Sequence, residues 1–132
     1  MKVLVCGGRS FTAYETVERY LDMLHALHGF TRVIHGAAIG ADRCADQWAG
    51  FNRIDCQRFP AEWKVYGKGA GPIRNARMLN EGQPDLVVAF PGGKGTGNMR
   101  KQATEQGVKL FDLADEKVRR QIETDYQALK AA

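Results

Sequence analysis

The chain has 132 residues, of which 44% are hydrophobic and 26% charged, with a formal net charge of +4. This length and balance exclude a disordered chain and predict one folded domain over residues 1–132. The three cysteines form no C-x-x-C pair, and we find no leader and no long apolar run, so we expect a cytoplasmic protein with reduced thiols and no membrane partner. The modest positive charge fits an anionic ligand, and the lack of a basic block disfavours nucleic acid as the partner.

The spacing of apolar residues predicts strands and helices in strict alternation. In chain order these are strand Lys2–Cys6, helix Ala13–His28, strand Thr31–His35, helix Gly40–Phe51, strand Ile54–Phe59, a loop from Pro60 to Gly71, a helix from Pro72 to about Asn80, strand Leu86–Phe90, helix Gly95–Gln106, strand Val108–Phe111 and helix Asp115–Leu129. The strands are continuous apolar runs, which is typical of a parallel sheet covered on both faces. The sequence therefore predicts an α/β, Rossmann-like three-layer domain with a mostly parallel sheet of about five strands.

The loop Pro91–Asn98 carries the strongest functional signal. It follows an apolar strand, contains four glycines and leads into a helix. Such a turn leaves backbone N–H groups unpaired, and the helix dipole adds partial positive charge at the same place. The loop therefore predicts an anion site, most often one for phosphate.

Three other segments end at the same edge of the predicted sheet, where open parallel sheets bind ligands. Together with the loop they give the candidate ligand- and phosphate-binding residues Gly7, Gly8, Arg9, Ser10, Gly36, Gly40, Asp42, Arg74, Asn75, Pro91, Gly92, Gly93, Gly95, Thr96 and Asn98. None of these segments has the spacing of a dinucleotide-binding fingerprint or a P-loop. We therefore disfavour hydride transfer and ATPase activity, and we expect no resident cofactor and no metal site.

Several of these residues have a second interpretation. The glycines could serve only to permit tight turns, and Arg9 and Arg74 could be surface cations. We favour a ligand contact for both arginines, since Arg74 falls near a helix N-terminus, where the dipole disfavours a cation unless an anion compensates. Asp42 could cap the following helix or contact ribose hydroxyls.

The sequence also leaves two roles possible for three residues with aromatic rings, whereas it assigns a single role to a fourth. His35 could be a satisfied histidine at a strand end or a member of the site. Trp63 and Tyr66 could stack on a base or close the edge of the core. Trp48, in contrast, is predicted to belong to the core.

Several motifs, in order, resemble one protein family. The segment Val88–Thr96 looks like the PGGxGT loop of the SLOG superfamily, which includes the Lonely Guy phosphoribohydrolases and the DNA-processing protein A. The segments Gly7–Phe11, His35–Asp42, Ala61–Gly67 and Ala70–Asn75 resemble its YspA / cpYpsA-related branch. The resemblance spans Met1 to about Phe111, although that branch often has a basic residue where Ile39 stands.

The resemblance implies a nucleotide or nucleotide-derived ligand whose phosphate lies on Gly92, Gly93, Gly95 and Thr96. In Lonely Guy enzymes, an R-x-x-x-M arginine and a glutamate after the loop carry hydrolysis of the base–ribose bond. Arg74 and Met78 match the first pattern, which makes Arg74 the candidate catalytic residue. The glutamate has no match, because Gly97, Asn98, Met99 and Arg100 follow Thr96.

We therefore hold three hypotheses. The first is a nucleotide-binding domain that acts as a sensor or in nucleotide processing. The second is a hydrolase of the N-glycosidic bond of a nucleoside monophosphate, with Glu62, Asp42 or Glu105 in place of the missing carboxylate. The third is a single-stranded nucleic-acid module, which the low charge disfavours. By analogy with relatives of this fold, we expect a homo-oligomer, most simply a dimer.

Overall fold

A five-stranded parallel sheet lies at the centre of the chain. The computed structural model describes every residue from Met1 to Ala132. The strands are β1 (Lys2–Cys6), β2 (Arg32–His35), β3 (Asp55–Arg58), β4 (Leu86–Ala89) and β5 (Lys109–Asp112). Their order in the sheet is β3-β2-β1-β4-β5, and every neighbouring pair is parallel. The predicted Rossmann-like α/β architecture is confirmed.

Six helices connect and cover these strands. They are α1 (Tyr14–His28), α2 (Ala41–Phe51), α3 (Trp63–Tyr66), α4 (Ala70–Gly82), α5 (Lys94–Glu105) and α6 (Glu116–Ala131). None of them is both long enough and apolar enough to cross a membrane.

The segment predicted as a loop, Pro60–Gly71, is mostly helical. It contains α3, a 3₁₀ turn at Gly67–Gly69 and the start of α4. The prediction was wrong here because α3 and the 3₁₀ turn bury no side chain, so the sequence shows no apolar periodicity. Pro72 lies in the first turn of α4, where its missing N–H costs no hydrogen bond.

The sheet separates two cores, because successive residues of a strand point to opposite faces. On one face, Val3 and Val5 pack among residues of α1, α2 and α6. On the other face, Leu4 and Cys6 pack among residues of α4 and α5. Trp48 lies in the first core with 1% of its surface exposed, as predicted, and its indole N–H donates to Asp22 at 2.8 Å.

The strand order also fixes where a ligand site can form. From β1 the chain builds outward through β2 to β3, and it then crosses to the other side of β1 to form β4 and β5. The segments after β1 and after β4 therefore diverge at a crevice between two neighbouring strands. This is the position at which open α/β sheets bind their ligands.

Candidate functional site

A cavity of about 350 Å³ opens at the carboxyl ends of β1 and β4, and we call it the main cavity. Its lining residues are Cys6, Gly7, Arg9, Ala38, Asp42, Trp63, Gly71, Arg74, Asn75, Met78, Gly93, Lys94, Gly95 and Thr96. Three of these side chains are cationic (Arg9, Arg74 and Lys94) and one, that of Asp42, is a carboxylate. The balance of charge in the main cavity therefore favours an anion.

The loop Pro91–Asn98 presents unpaired backbone N–H groups. The first hydrogen bond at the start of α5 runs from the Gly97 amide to the Gly93 carbonyl at 3.0 Å. None of the five amides of Gly92–Thr96 donates to a protein group. A Cβ built on Gly93 or on Gly95 would meet no atom within 4 Å, so the loop is open on that side. Unpaired amides at a helix N-terminus are the arrangement that binds anions in proteins, and we call this row of amides the cradle.

Glycines let the loops after β1, β2 and β4 approach one another backbone to backbone. The Gly8 amide donates to the Pro91 carbonyl at 2.9 Å, and the Gly8 carbonyl accepts from the Ala41 amide at 3.2 Å. A Cβ on Gly92 would collide with Thr96 Oγ1, and one on Gly40 would collide with the carbonyl of Gly8. These glycines therefore permit close approach between loops, which is a stricter requirement than a tight turn.

Arg74 forms part of the wall of the main cavity. It is the fifth residue of α4, one turn deeper than the first-turn position expected from the sequence. Its Nη1 donates to the Gly36 carbonyl at 2.6 Å, and its Nε donates to Asn75 Oδ1 at 3.0 Å. Burial lowers the pKa of the guanidinium, and the Asp42 carboxylate counteracts this effect. The surrounding oxygens therefore hold the cation in a fixed position at the cavity wall.

Asp42 also faces the main cavity, but it does not cap α2. The N-cap of α2 is Gly40, whose φ is +83°, and Asp42 is the second residue of the helix. The carboxylate instead accepts the Ala38 amide at 3.2 Å, so the capping interpretation was wrong. Burial raises the pKa of Asp42, and the Ala38 hydrogen bond partly offsets that rise.

Asn75 joins α4 to α5 below the cradle. Its Nδ2 donates to the Gly95 carbonyl and to Asn98 Oδ1, both at 3.1 Å. The same Asn98 oxygen accepts from Gln102 Nε2 at 2.6 Å. Asn98, a candidate ligand-binding residue, therefore lies in a bridge between the helices and does not line the main cavity.

The predicted site residues thus divide into two groups. Eight of them line the main cavity, namely Gly7, Arg9, Asp42, Arg74, Asn75, Gly93, Gly95 and Thr96. The other seven do not line it, namely Gly8, Ser10, Gly36, Gly40, Pro91, Gly92 and Asn98. Our candidate list omitted Cys6, Ala38, Trp63, Gly71, Met78 and Lys94. The R-x-x-x-M pattern did point to Met78, which lies one helical turn beyond Arg74, although it was not among the candidate binding residues.

Cys6 is the thiol nearest to the proposed ligand position. It ends β1, has 8% of its surface exposed and lines the main cavity. Burial raises the pKa of the Cys6 thiol well above its usual range, and nearby Asp42 acts in the same direction. The thiol therefore stays protonated at neutral pH, which makes it a packing group rather than a nucleophile.

A second polar cluster, outside the main cavity, joins His35, Asp46 and Cys56, whose ligand-type atoms lie within 4.8 Å of one another. His35 Nδ1 accepts the Ala37 amide at 2.9 Å, which places the ring proton on Nε2, where it faces Asp46 Oδ2 at 2.7 Å. Arg58 Nε donates to the same oxygen at 2.6 Å. A metal would have to displace the Nε2 proton beside a guanidinium, so the geometry favours a hydrogen-bonded network and places His35 outside the main cavity.

Comparison with known proteins identifies the family. The model of the "YspA, cpYpsA-related SLOG family" matches residues 1–66. The "Gene 61 protein" of Mycobacterium phage D29 is 35% identical over 123 residues, covering 86% of this chain and 97% of the phage protein. The chain belongs to the YspA, cpYpsA-related SLOG family. The resemblance inferred from the motifs is confirmed.

A solved structure shares the fold. It is the crystal structure of UDP-GlcNAc 2-epimerase from Neisseria meningitidis bound to UDP-GlcNAc, with a TM-score of 0.52 and 19% sequence identity. The match covers 83% of this chain and 31% of the epimerase chain, so the SLOG chain spans about a third of that enzyme. At this identity the likeness concerns the Rossmann-like arrangement alone.

Proposed function

We propose that the chain binds the phosphate of a nucleotide or nucleotide-derived ligand in the main cavity. The observation that carries this proposal is the row of unpaired amides over Gly92–Thr96, since four of its residues, Gly93, Lys94, Gly95 and Thr96, line a cavity that has three cationic side chains. Backbone amides at a helix N-terminus donate to phosphate oxygens without desolvating a side chain. Arg74, held by two oxygen acceptors, adds a fixed positive charge to the same cavity.

The family and the fold support the ligand class. The motif resemblance to the Lonely Guy phosphoribohydrolases implies a nucleotide ligand, and the Neisseria epimerase that shares the fold is bound to UDP-GlcNAc. The main cavity, at about 350 Å³, falls within the usual range of small-molecule sites, about 300–1,000 Å³. In this proposal the domain works in the cytoplasm as a sensor or in nucleotide processing, and its assembly is a homodimer, which light scattering can check.

Calorimetry with a matched set of ligands tests the proposal. The set contains ribose 5-phosphate, the nucleoside 5′-monophosphates and the corresponding nucleosides without phosphate. We expect the phosphorylated ligands to bind, and each nucleoside to bind at least about tenfold more weakly, because it lacks the group that the cradle takes. Equal affinity for a nucleoside and its monophosphate, or no binding of any phosphorylated ligand, contradicts the proposal.

A hydrolase acting at the same site is the second candidate, and one observation favours it. Asp42 is the carboxylate that lines the main cavity, and its burial raises its pKa toward the range of a general acid or base. Glu62 lines a neighbouring groove instead. Glu105 ends α5, roughly 16 Å from the start of that helix. Of the three carboxylates considered from the sequence, Asp42 is therefore our candidate for the general acid or base of a hydrolase.

Chromatography of incubated nucleoside monophosphates separates binding from hydrolysis. Release of free base that is lost in Asp42→Asn supports the hydrolase. The binding-only proposal expects intact ligand after long incubation. Arg77→Ala serves as the comparison variant, since it removes an exposed cation of the same helix that does not line the main cavity.

A further inference from the structure

Trp63 separates the main cavity from a second groove, which we call the outer groove. The outer groove measures about 410 Å³ and shares Arg9, Ala38, Trp63 and Arg74 with the main cavity. The two spaces therefore form one continuous surface around the indole ring. A ligand that extends beyond the anion cradle has the outer groove as its continuation.

The chemistry of the outer groove differs from that of the main cavity. Beyond the shared residues, its side chains are apolar ones, including those of Ile39, Pro60 and Ala61. Its only charged side chains are those of Arg9 and Arg74, at the boundary with the main cavity, and it has no carboxylate. Such a surface suits a flat, weakly polar group attached to an anionic one.

Trp63 provides a stacking face at this boundary. Its side chain is 47% exposed, although tryptophan is a residue that proteins usually cover. The guanidinium carbon of Arg9 lies 5.4 Å from the centroid of its ring. A cation held against an indole keeps the ring in place and stabilises it in an exposed position.

We propose that the outer groove is the base subsite, in which the heteroaromatic ring of a nucleoside phosphate stacks on Trp63 and packs against Ile39 and Ala61. This inference rests on the proposed function, because the phosphate in the cradle directs the base toward the groove. The ribose then passes between Arg9 and Arg74, the two cations shared by the cavities. Backbone amides recognise the phosphate, and the outer groove recognises the base.

Calorimetry with ribose 5-phosphate and with nucleoside 5′-monophosphates tests this assignment. For Trp63→Ala, we expect the affinity for the monophosphates to fall at least about fivefold, the lower bound for loss of one base–aromatic stack. Trp63→Phe keeps an aromatic face and restores most of that loss. Ribose 5-phosphate has no base, so its affinity stays within about twofold of wild type in both variants. Val65→Ala is the matched control, since Val65 lies in the same short helix and lines neither cavity.

The outcomes separate the two proposals. If wild-type protein binds ribose 5-phosphate and the monophosphates equally well, or if Trp63→Ala weakens both equally, the base subsite is overturned and the phosphate site stands. If neither ligand binds, the phosphate site is overturned, and the base subsite with it. Fluorescence gives an independent reading, because Trp48 is 1% exposed and Trp63 is 47% exposed. We expect a nucleoside monophosphate to change the tryptophan emission of the wild-type protein and ribose 5-phosphate to leave it unchanged. In Trp63→Phe, we expect the monophosphate to leave the emission unchanged as well.

Discussion

Replacing Gly95 by aspartate separates the stability of the fold from binding at the cradle. Gly95 is the second residue of α5, and a Cβ built there meets no atom within 4 Å. An acidic side chain in the first turn interacts favourably with the helix dipole, worth about 0.3–1 kcal/mol, and removing a glycine favours the helix further. We therefore expect the free energy of unfolding of Gly95→Asp to be unchanged or raised by up to about 1 kcal/mol.

The same carboxylate should exclude a phosphate. Two unit charges about 5 Å apart repel each other by about 3 kcal/mol at an effective dielectric constant of about 20. That energy corresponds to a loss of affinity of about 100-fold or more. Gly95→Ala is the control, because it adds a Cβ at the same position without a charge, and we expect it to bind within about threefold of wild type.

Calorimetry with ribose 5-phosphate measures the affinity of each variant. Urea unfolding of the same samples measures the free energy of unfolding. If Gly95→Asp binds the sugar phosphate as tightly as Gly95→Ala does, the anion does not lie at the N-terminus of α5. If Gly95→Asp unfolds in much less urea than wild type, the space around Gly95 is not open. Either result refutes this account of the cradle.

Three further predictions concern the surroundings of the cradle. Arg74→Ala should weaken ribose 5-phosphate binding about tenfold or more in calorimetry, the range for a lost hydrogen bond to a charged group. Gly40→Ala should lower the free energy of unfolding in urea by about 1–3 kcal/mol, because Gly40 has a φ of +83° and its Cβ would collide with the backbone of Gly8 and Arg9. Hydrogen bonds, first from Arg58 and then from His35, lower the pKa of Asp46 from 3.8 to about 2. The resulting stabilisation is fully present above pH 3.8 and is lost as the pH falls toward 2.

Matched variants isolate each of these effects. Arg77→Ala removes an arginine one turn along the exposed face of α4, paired with Glu81, and should leave ribose 5-phosphate binding within about twofold. Gly50→Ala in α2, where a Cβ meets no atom within 4 Å, should stabilise the protein by up to about 1 kcal/mol. Asp46→Asn should be less stable than wild type by about 1 kcal/mol at pH 6, after allowance for the solvent that screens this one-third-exposed carboxylate. This difference in the free energy of unfolding between wild type and Asp46→Asn should disappear near pH 2. A difference that stays constant with pH would contradict the role assigned to the carboxylate.

The centre of the sheet could be predicted from the sequence because β1, β2 and β4 are mostly apolar and buried on both faces, whereas the edge strands β3 and β5 have no fully buried residue. Four of the five observed strands, β1, β2, β3 and β4, lie entirely inside their predicted ranges, and β5 is displaced by one residue. Helix α3 could not be predicted in this way, since none of its four residues is buried. It contacts the following helix α4, and Arg9 stacks over Trp63, a contact between residues far apart in the chain.

The parts of the candidate site that the backbone forms could be predicted from the sequence. The positions of its side chains were harder to predict. Glycines after β1, β2 and β4 predicted that these loops meet at one edge of the sheet, and they do, because Gly40 and Gly92 leave no room for a Cβ where the loops approach one another. The direction of the Asp42 carboxylate depended on the left-handed conformation of Gly40, which moved the cap away from Asp42. The engagement of Asn98 by Asn75 and Gln102 depended on how α4 packs beside α5.

In the proposed site, backbone groups and side chains recognise different parts of the ligand. The amides of Gly92–Thr96 are the same groups in any sequence that folds this way, so they recognise phosphate and carry no information about the base. Information about the base has to come from side chains within reach of the cradle, and Arg9, Ile39, Ala61 and Trp63 supply them at the outer groove. Relatives that share the glycine loop and differ at these four positions should therefore share affinity for ribose 5-phosphate and differ in their choice of nucleotide.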